Sequence, residues 1–139
     1  MKILITGGAG FIGSNFVHYW AEHHPEDSIT VFDALTYAAN KASLASIQEK
    51  IQFVEGDITN REAVDAVMGG VDCVVHFAAE SHNDRAIADP FIFTKTNVIG
   101  THTLLESARQ HKVGRFHHIS TDEVFGDIPL NEKYKFSES

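Results

Sequence analysis

Cysteine is almost absent from these 139 residues: Cys73 stands alone, inside the apolar run "CVVHFAA". One thiol cannot build an intrachain disulfide framework, so a reducing compartment is expected. Basic charge is short as well. Lys and Arg number 11 against 19 Asp and Glu, a net charge of −8, which argues against nucleic acid or an anionic membrane surface as a partner. Long hydrophobic runs are missing. The opening "MKILITGGAG" is too short in apolar residues for a signal core, and no segment approaches a membrane span. A cytoplasmic protein is expected. Zinc-site spacing is missing too: nine histidines are scattered without a second cysteine, and adjacent pairs point to opposite sides of an element. No metal site is expected.

What is present is ordinary globular composition, 43% apolar and 22% charged, in a length that suits one domain. Short β-branched runs alternate with helical patterns. "KILITG", "SITVFDA", "IQFVEGD", "VDCVVHFAA" and "RFHHIST" read as five strands. A helix is expected from Ile12, with Phe16, Val17 and Trp20 at helical spacing, to near His24-Pro25. "LTYAANKASLASIQEK" reads as a loop and a weak short helix. A capping box from Thr59 to Glu62 is expected to open a helix that stops at Gly69-Gly70. Asp89-Pro90 offers an N-cap and an N1 proline for a long helix to about Lys112, with Thr94, Val98, Thr101, Leu105 and Ala108 on one stripe. "DIPLNEKYKFSES" reads as loop. No repeat, linker or low-complexity segment is evident. The alternation implies βαβ units and a doubly wound, parallel α/β sheet of Rossmann type.

The carboxyl ends of the five strands carry Gly7 to Gly13, Asp33, Asp57, Ala79-Glu80-Ser81 and Ser120 to Glu123. All the unusual chemistry thus falls on one sheet edge, where open α/β sheets bind ligands. "TGGAGFIG" follows a strand and opens a helix, with Gly7, Gly10 and Gly13 spaced GxxGxxG. Glycine suits a tight turn and close approach to a pyrophosphate, and the helix N-terminus offers free N–H groups. Asp33 lies 20 residues beyond Gly13, where a carboxylate accepts from both ribose hydroxyls and repels a 2′-phosphate. NAD is therefore favoured over NADP. Asp57, in "GD" before a helix, reads equally as a turn residue or an adenine contact.

Together "TGGAGFIGSNF", "FDALTYAAN", "GDI", "FAAESHNDR", "TNVIGT" and "STDEVFGD" resemble the extended short-chain dehydrogenase/reductase superfamily and, within it, the dTDP-glucose 4,6-dehydratase family, colinearly but only in its N-terminal part. The resemblance implies that Gly7, Gly10, Phe11, Ile12 and Gly13 hold the NAD pyrophosphate. It places Asp33, Ala34, Leu35 and Thr36 at the adenosine ribose and Asp57-Ile58 at the adenine. Phe77, Ala78, Ala79, Glu80 and Ser81 run beside the cofactor, with Thr96 near it. Ser81, His82, Asn83 and Arg85 border the nucleotide-sugar pocket, and Asn97 supports the site's geometry. Thr121 hydrogen-bonds the sugar's 4-hydroxyl, Asp122 is the acid for the departing 6-hydroxyl and Glu123 is the base at C5. Loss of water needs one protonated and one ionised carboxyl, and neighbouring acids in a closed site push their pKa values apart. The implied reaction turns dTDP-glucose into dTDP-4-keto-6-deoxyglucose, with bound NAD as a hydride shuttle. A homodimer through the long helix is implied too.

Asn83 replaces the family's usual valine and Ala39 a common glycine. The superfamily's Tyr-x-x-x-Lys pair is absent, since none of Tyr19, Tyr37 and Tyr134 is followed four residues later by lysine. Residues 1–139 are thus expected to be an incomplete NAD-binding domain, ending just before that motif, without the sixth strand or substrate domain, and without turnover alone. The alternatives are a related nucleotide-sugar epimerase or decarboxylase, whose relatives generally lack the Thr-Asp-Glu run, and a non-catalytic NAD-binding module, for which an exposed fifth-strand edge would be a liability.

Overall fold

A computed structural model describes residues 1–138; Ser139, the end of the expected 1–139 unit, lies outside the described residues. The strands are Lys2–Thr6 (β1), Ser28–Asp33 (β2), Ile51–Glu55 (β3), Cys73–His76 (β4) and Arg115–His118 (β5). They form one all-parallel sheet in the order β3-β2-β1-β4-β5. Strand order reverses at β1, which is flanked by β2 and β4, so the connections leave a crevice above its carboxyl end.

Side chains of a strand alternate between faces, and β1 demonstrates it. Ile3 and Ile5 join one core layer with Val17, Ala21, Val31 and Val75. Leu4 joins the other with Phe32, Val64, Met68, Val74 and Leu104. The first layer is covered by helix Phe11–His23 (α1) and a 3₁₀ segment, Lys41–Lys50. The second is covered by helices Arg61–Met68 (α2) and Thr101–Gln110 (α5). Each fully buried large side chain in these layers contributes about 1.5–3 kcal/mol. β4 is buried along its whole length, as its unbroken apolar run requires, whereas edge strand β5 is largely exposed.

One local reading needs correction, and two features were not anticipated. The cap of α2 is Asn60, whose Oδ1 accepts from Ala63 N at 3.2 Å. Thr59 instead spends its N–H on Asp57 Oδ1, 2.8 Å away, inside an Asx turn that ends before the helix. "NDR" opens a short helix, Asn83–Ala88 (α3), not anticipated from its polar sequence. The long helix does start at an Asp89 cap with Pro90 at its first position. It runs through Pro90–Phe93 (α4), a π-helical turn at Thr94–Gly100 and α5. Its inward face, however, is Gly100, Thr103, Leu104, Ser107 and Ala108, while Val98 and Leu105 face outward. Close packing is the reason: a Cβ on Gly100 would lie 2.5 Å from Ile58 Cδ1, so small residues turn inward.

Candidate functional site

Strand register sets up the site before any side chain does. Thr6 pairs with Phe32 on one side and His76 on the other, and His76 pairs with His118. The ladder continues one step further, with Gly7 N donating to Phe32 O and Phe77 N to Thr6 O, both at 3.0 Å. Gly7, Asp33 and Phe77 therefore leave the sheet level with each other, at its carboxyl edge.

The glycine turn has no room for a side chain at Gly7 or Gly13. Gly7 holds φ +70°, a conformation that glycine adopts without penalty, and a Cβ there would lie 2.5 Å from Ala78 N. A Cβ on Gly13 would lie 2.2 Å from Gly7 O. Helix α1 begins at Gly10 with no side-chain cap and no acid in its first turn. Its free N–H groups and positive dipole end therefore suit an anion. The buried Asp33 carboxylate fixes both banks of the turn. Oδ2 accepts from Ala9 N and Oδ1 from Leu35 N, each at 2.9 Å. Each oxygen keeps a further lone pair for a hydroxyl donor.

One cleft gathers Gly7, Gly10, Asp33, Ala34, Thr36, Asp57, Ile58, Phe77, Ala78, Ala79, Glu80 and Thr96. Phe32, Ala38, Ala39 and Gly56 complete its lining, and sequence reasoning missed them. Their signal was adjacency alone. Gly13 lies behind the turn and Leu35 packs into the core, while Phe11 and Ile12 are exposed at the rim and offer only backbone N–H groups. An adjoining cavity shares Ala78, Ala79 and Glu80 and adds Ser81, Asn83, Asn97, His118, Ser120, Thr121 and Glu123. Asp122, His82 and Arg85 line neither. His82 precedes α3, and Arg85 turns toward Tyr37 and Glu80. Asp122 opens a 3₁₀ turn, Asp122–Phe125.

The strand-five acids are exposed, not enclosed as a separation of their pKa values would require. Glu123 is nonetheless held below the usual carboxylate range, chiefly by a hydrogen bond from Thr121 and then by a backbone hydrogen bond. Beneath the site, buried His76 bridges Thr6 Oγ1 through Nδ1 at 2.7 Å and Thr101 Oγ1 through Nε2 at 3.0 Å. Desolvation, followed by the nearby His118, lowers its pKa to about 4, so it is neutral at physiological pH. Far from the cleft, ligand-type atoms of His24, Glu26 and Asp27 come within 4.8 Å of one another. Asp27 there is already engaged by the N-terminal ammonium and by Trp20 Nε1.

Among the described residues no helix is long and apolar enough to cross a membrane. A family model described as GDP-mannose 4,6 dehydratase matches residues 4–139. A Mycobacterium tuberculosis protein named dTDP-glucose 4,6-dehydratase is 55% identical over the whole chain, which spans 42% of that relative's length. The crystal structure of DesIV, a dTDP-glucose 4,6-dehydratase from Streptomyces venezuelae with NAD and TYD bound, aligns with TM-score 0.88 and 49% identity. The alignment covers 96% of this chain and 43% of DesIV. A UDP-glucose 4-epimerase from Thermotoga maritima aligns less closely, at TM-score 0.77 and 30% identity, over 85% of this chain and 37% of its own.

Proposed function

Because the chain belongs to the GDP-mannose 4,6 dehydratase family, we propose that it is the NAD-binding part of a dehydratase that converts dTDP-glucose to dTDP-4-keto-6-deoxyglucose. One observation carries the reading. Gly7 and Gly10 of the glycine turn, the buried Asp33 carboxylate and Ala78 to Glu80 line a single cleft, and Thr121 and Glu123 line the cavity beside it. The names of the M. tuberculosis relative and of DesIV supply the nucleotide and the sugar. The run "STDEV" favours dehydration over epimerisation. Residues 1–139 would be the cofactor portion, with the substrate portion in the remaining length that the relatives possess.

When bound, NAD supplies the acceptor for the C4 hydride and its later donor to C6. The free backbone N–H groups of Phe11, Ile12 and Gly13 would hold the diphosphate, with the Gly10 N–H already spent on Gly7 O at 3.1 Å, and the free lone pairs of Asp33 would accept from the ribose. Asp57 and Ile58 flank the adenine. With substrate present, the Thr121 hydroxyl would turn from Glu123 to donate to the sugar's 4-oxygen, and Ser81 and Asn83 border the sugar. Once C4 is a ketone, the C5 proton is acidified and passes to Glu123. In the closed site that the remaining length of the protein would complete, Asp122 gives its proton to the 6-hydroxyl, which leaves as water. Glu123 is ionised, the form in which a carboxylate accepts a proton, and transfer of the Thr121 hydrogen bond from Glu123 to the sugar raises its basicity. The group that takes the 4-hydroxyl proton would come from beyond this segment.

A homodimer is part of the proposal. Phe91, Val98 and Leu105 recur every seven residues along the long helix and are 72%, 60% and 47% exposed. These exposed apolar side chains fit a second copy of the same helix. The lone, buried thiol of Cys73 suits the cytoplasm. The test is incubation of the full-length gene product with dTDP-glucose and NAD, followed by NMR. Sustained 4-keto-6-deoxy product is expected from that protein and none from the 139-residue chain. A 4-epimer as sole product would overturn the reading in favour of an epimerase.

A further inference from the structure

Tyr37, Glu80 and Arg85 form a cluster that the proposed chemistry does not use. Tyr37 lies between Thr36 and Ala38, which line one bank of the cleft, while Glu80 lines the other. The two banks meet through Tyr37 Oη, which donates to Glu80 Oε2 at 3.3 Å. Arg85, from α3, places its guanidinium 3.9 Å from the centre of the Tyr37 ring and its Nε 3.7 Å from the same Glu80 oxygen. The Glu80 side chain is only 6% exposed, although it is anionic by type and lies at a cleft edge. Its backbone is fixed from beneath by Asn97. A buried carboxylate costs solvation free energy unless it is paired, so these contacts demand a closed arrangement. Burial first, then Glu80, raises the phenol pKa of Tyr37, which preserves it as a donor. Arg85 Nε is buried yet stops short of hydrogen-bond distance, so a small further approach of α3 would tighten the contact.

Resting on the dehydratase reading, we propose that Tyr37, Glu80 and Arg85 form a clasp joining the two banks of the cofactor cleft, and that it retains the reduced dinucleotide between its two hydride transfers. The chemistry requires retention: hydride taken from C4 must return to C6 of the same sugar. Cofactor lost in mid-cycle leaves one reduced dinucleotide in solution and one unreduced keto sugar on the enzyme. The clasp residues are positioning residues, because they act on the escape of the cofactor and touch no reacting atom. Charged and cation–π contacts of this kind govern dissociation more than association.

The experiment uses the full-length protein loaded with NADH. Release into excess NAD is followed by fluorescence, and free NADH per turnover is assayed during reaction with dTDP-glucose. Glu80→Ala is expected to speed release by roughly tenfold and to raise free NADH per turnover in step. Tyr37→Ala acts in the same direction and, at a half-exposed position, leaves folding intact. Tyr37→Phe retains the Arg85 stack and is expected to recover part of the retention, at unchanged melting temperature. Release rates equal to wild type in both alanine variants would overturn the clasp while leaving the dehydratase reading intact. A wild-type protein that binds no dinucleotide would overturn both.

Discussion

Asn97 clamps the backbone of Glu80 from both directions. Its Nδ2 donates to Glu80 O and its Oδ1 accepts from Glu80 N, both at 2.8 Å. A helix side chain thereby does for the segment after β4 what a neighbouring strand would otherwise do. The amide is suited to this because it presents one acceptor and one donor side by side. Asn97→Asp removes the donor and sets a carboxylate against a carbonyl. The expected loss is about 1–3 kcal/mol of stability, read by urea unfolding, together with weakened dinucleotide binding. Asn97→Gln is expected to recover little, since the extra methylene displaces the amide.

The glycine turn predicts a contrast within one residue type. Gly13→Ala drives a methyl to 2.2 Å from Gly7 O, a backbone atom that cannot move aside. Gly69→Ala meets nothing within 4 Å. Gly13→Ala is expected to cost about 1–3 kcal/mol and to abolish NADH binding by fluorescence titration. Gly69→Ala is expected to leave both unchanged.

His76 predicts a pH dependence. Its pKa falls from an ordinary 6.5 to about 4 on folding, so the unfolded chain takes up its proton first as pH drops. The contribution of His76 is fully present above pH 6.5 and is lost as pH falls toward 4. The full span amounts to about 3 kcal/mol. Carboxylates with lowered values, such as Asp65 and Glu106, act in the same direction at lower pH. His76→Gln has no such proton to gain. Its stability curve is therefore expected to flatten between pH 6.5 and 4 relative to wild type, as measured by denaturant unfolding across that range.

The outward stripe on the long helix predicts assembly. Val98→Glu with Leu105→Glu places two charges on a face that faces solvent in the single chain. Monomer stability is expected to change little, because surface substitutions of this kind stay within about 0.5 kcal/mol. In the full-length protein the pair is expected to convert a dimer to monomer by sedimentation velocity. A dimer that persists would place the interface elsewhere.

The alternation of strand and helix, the glycine spacing and Asp33 were all legible in order along the chain, because each depends on neighbours within a few residues. Periodicity set the sheet, and register then carried Gly7, Asp33 and Phe77 to one edge. The burial of the long helix was not legible. Apolar size points Val98 and Leu105 inward, but the approach of Gly100 to Ile58 turns small residues toward the core. The cap at Asn60 was hidden in the same way, since Thr59 and Asn60 are both good capping residues and only the Asx turn of Asp57 decides between them.

By itself, then, the sequence determined the parallel α/β architecture, the anion-ready turn and the acid beside it, because these are properties of local geometry and spacing. Only the tertiary structure decided the contacts between distant segments. It brought Tyr37 onto Glu80, Asn97 beneath Glu80, and His76 between Thr6 and Thr101. Those partners stand between 17 and 70 residues apart, and no local preference links them. Burial does, because a polar group taken out of water must find its partner wherever the fold has placed one.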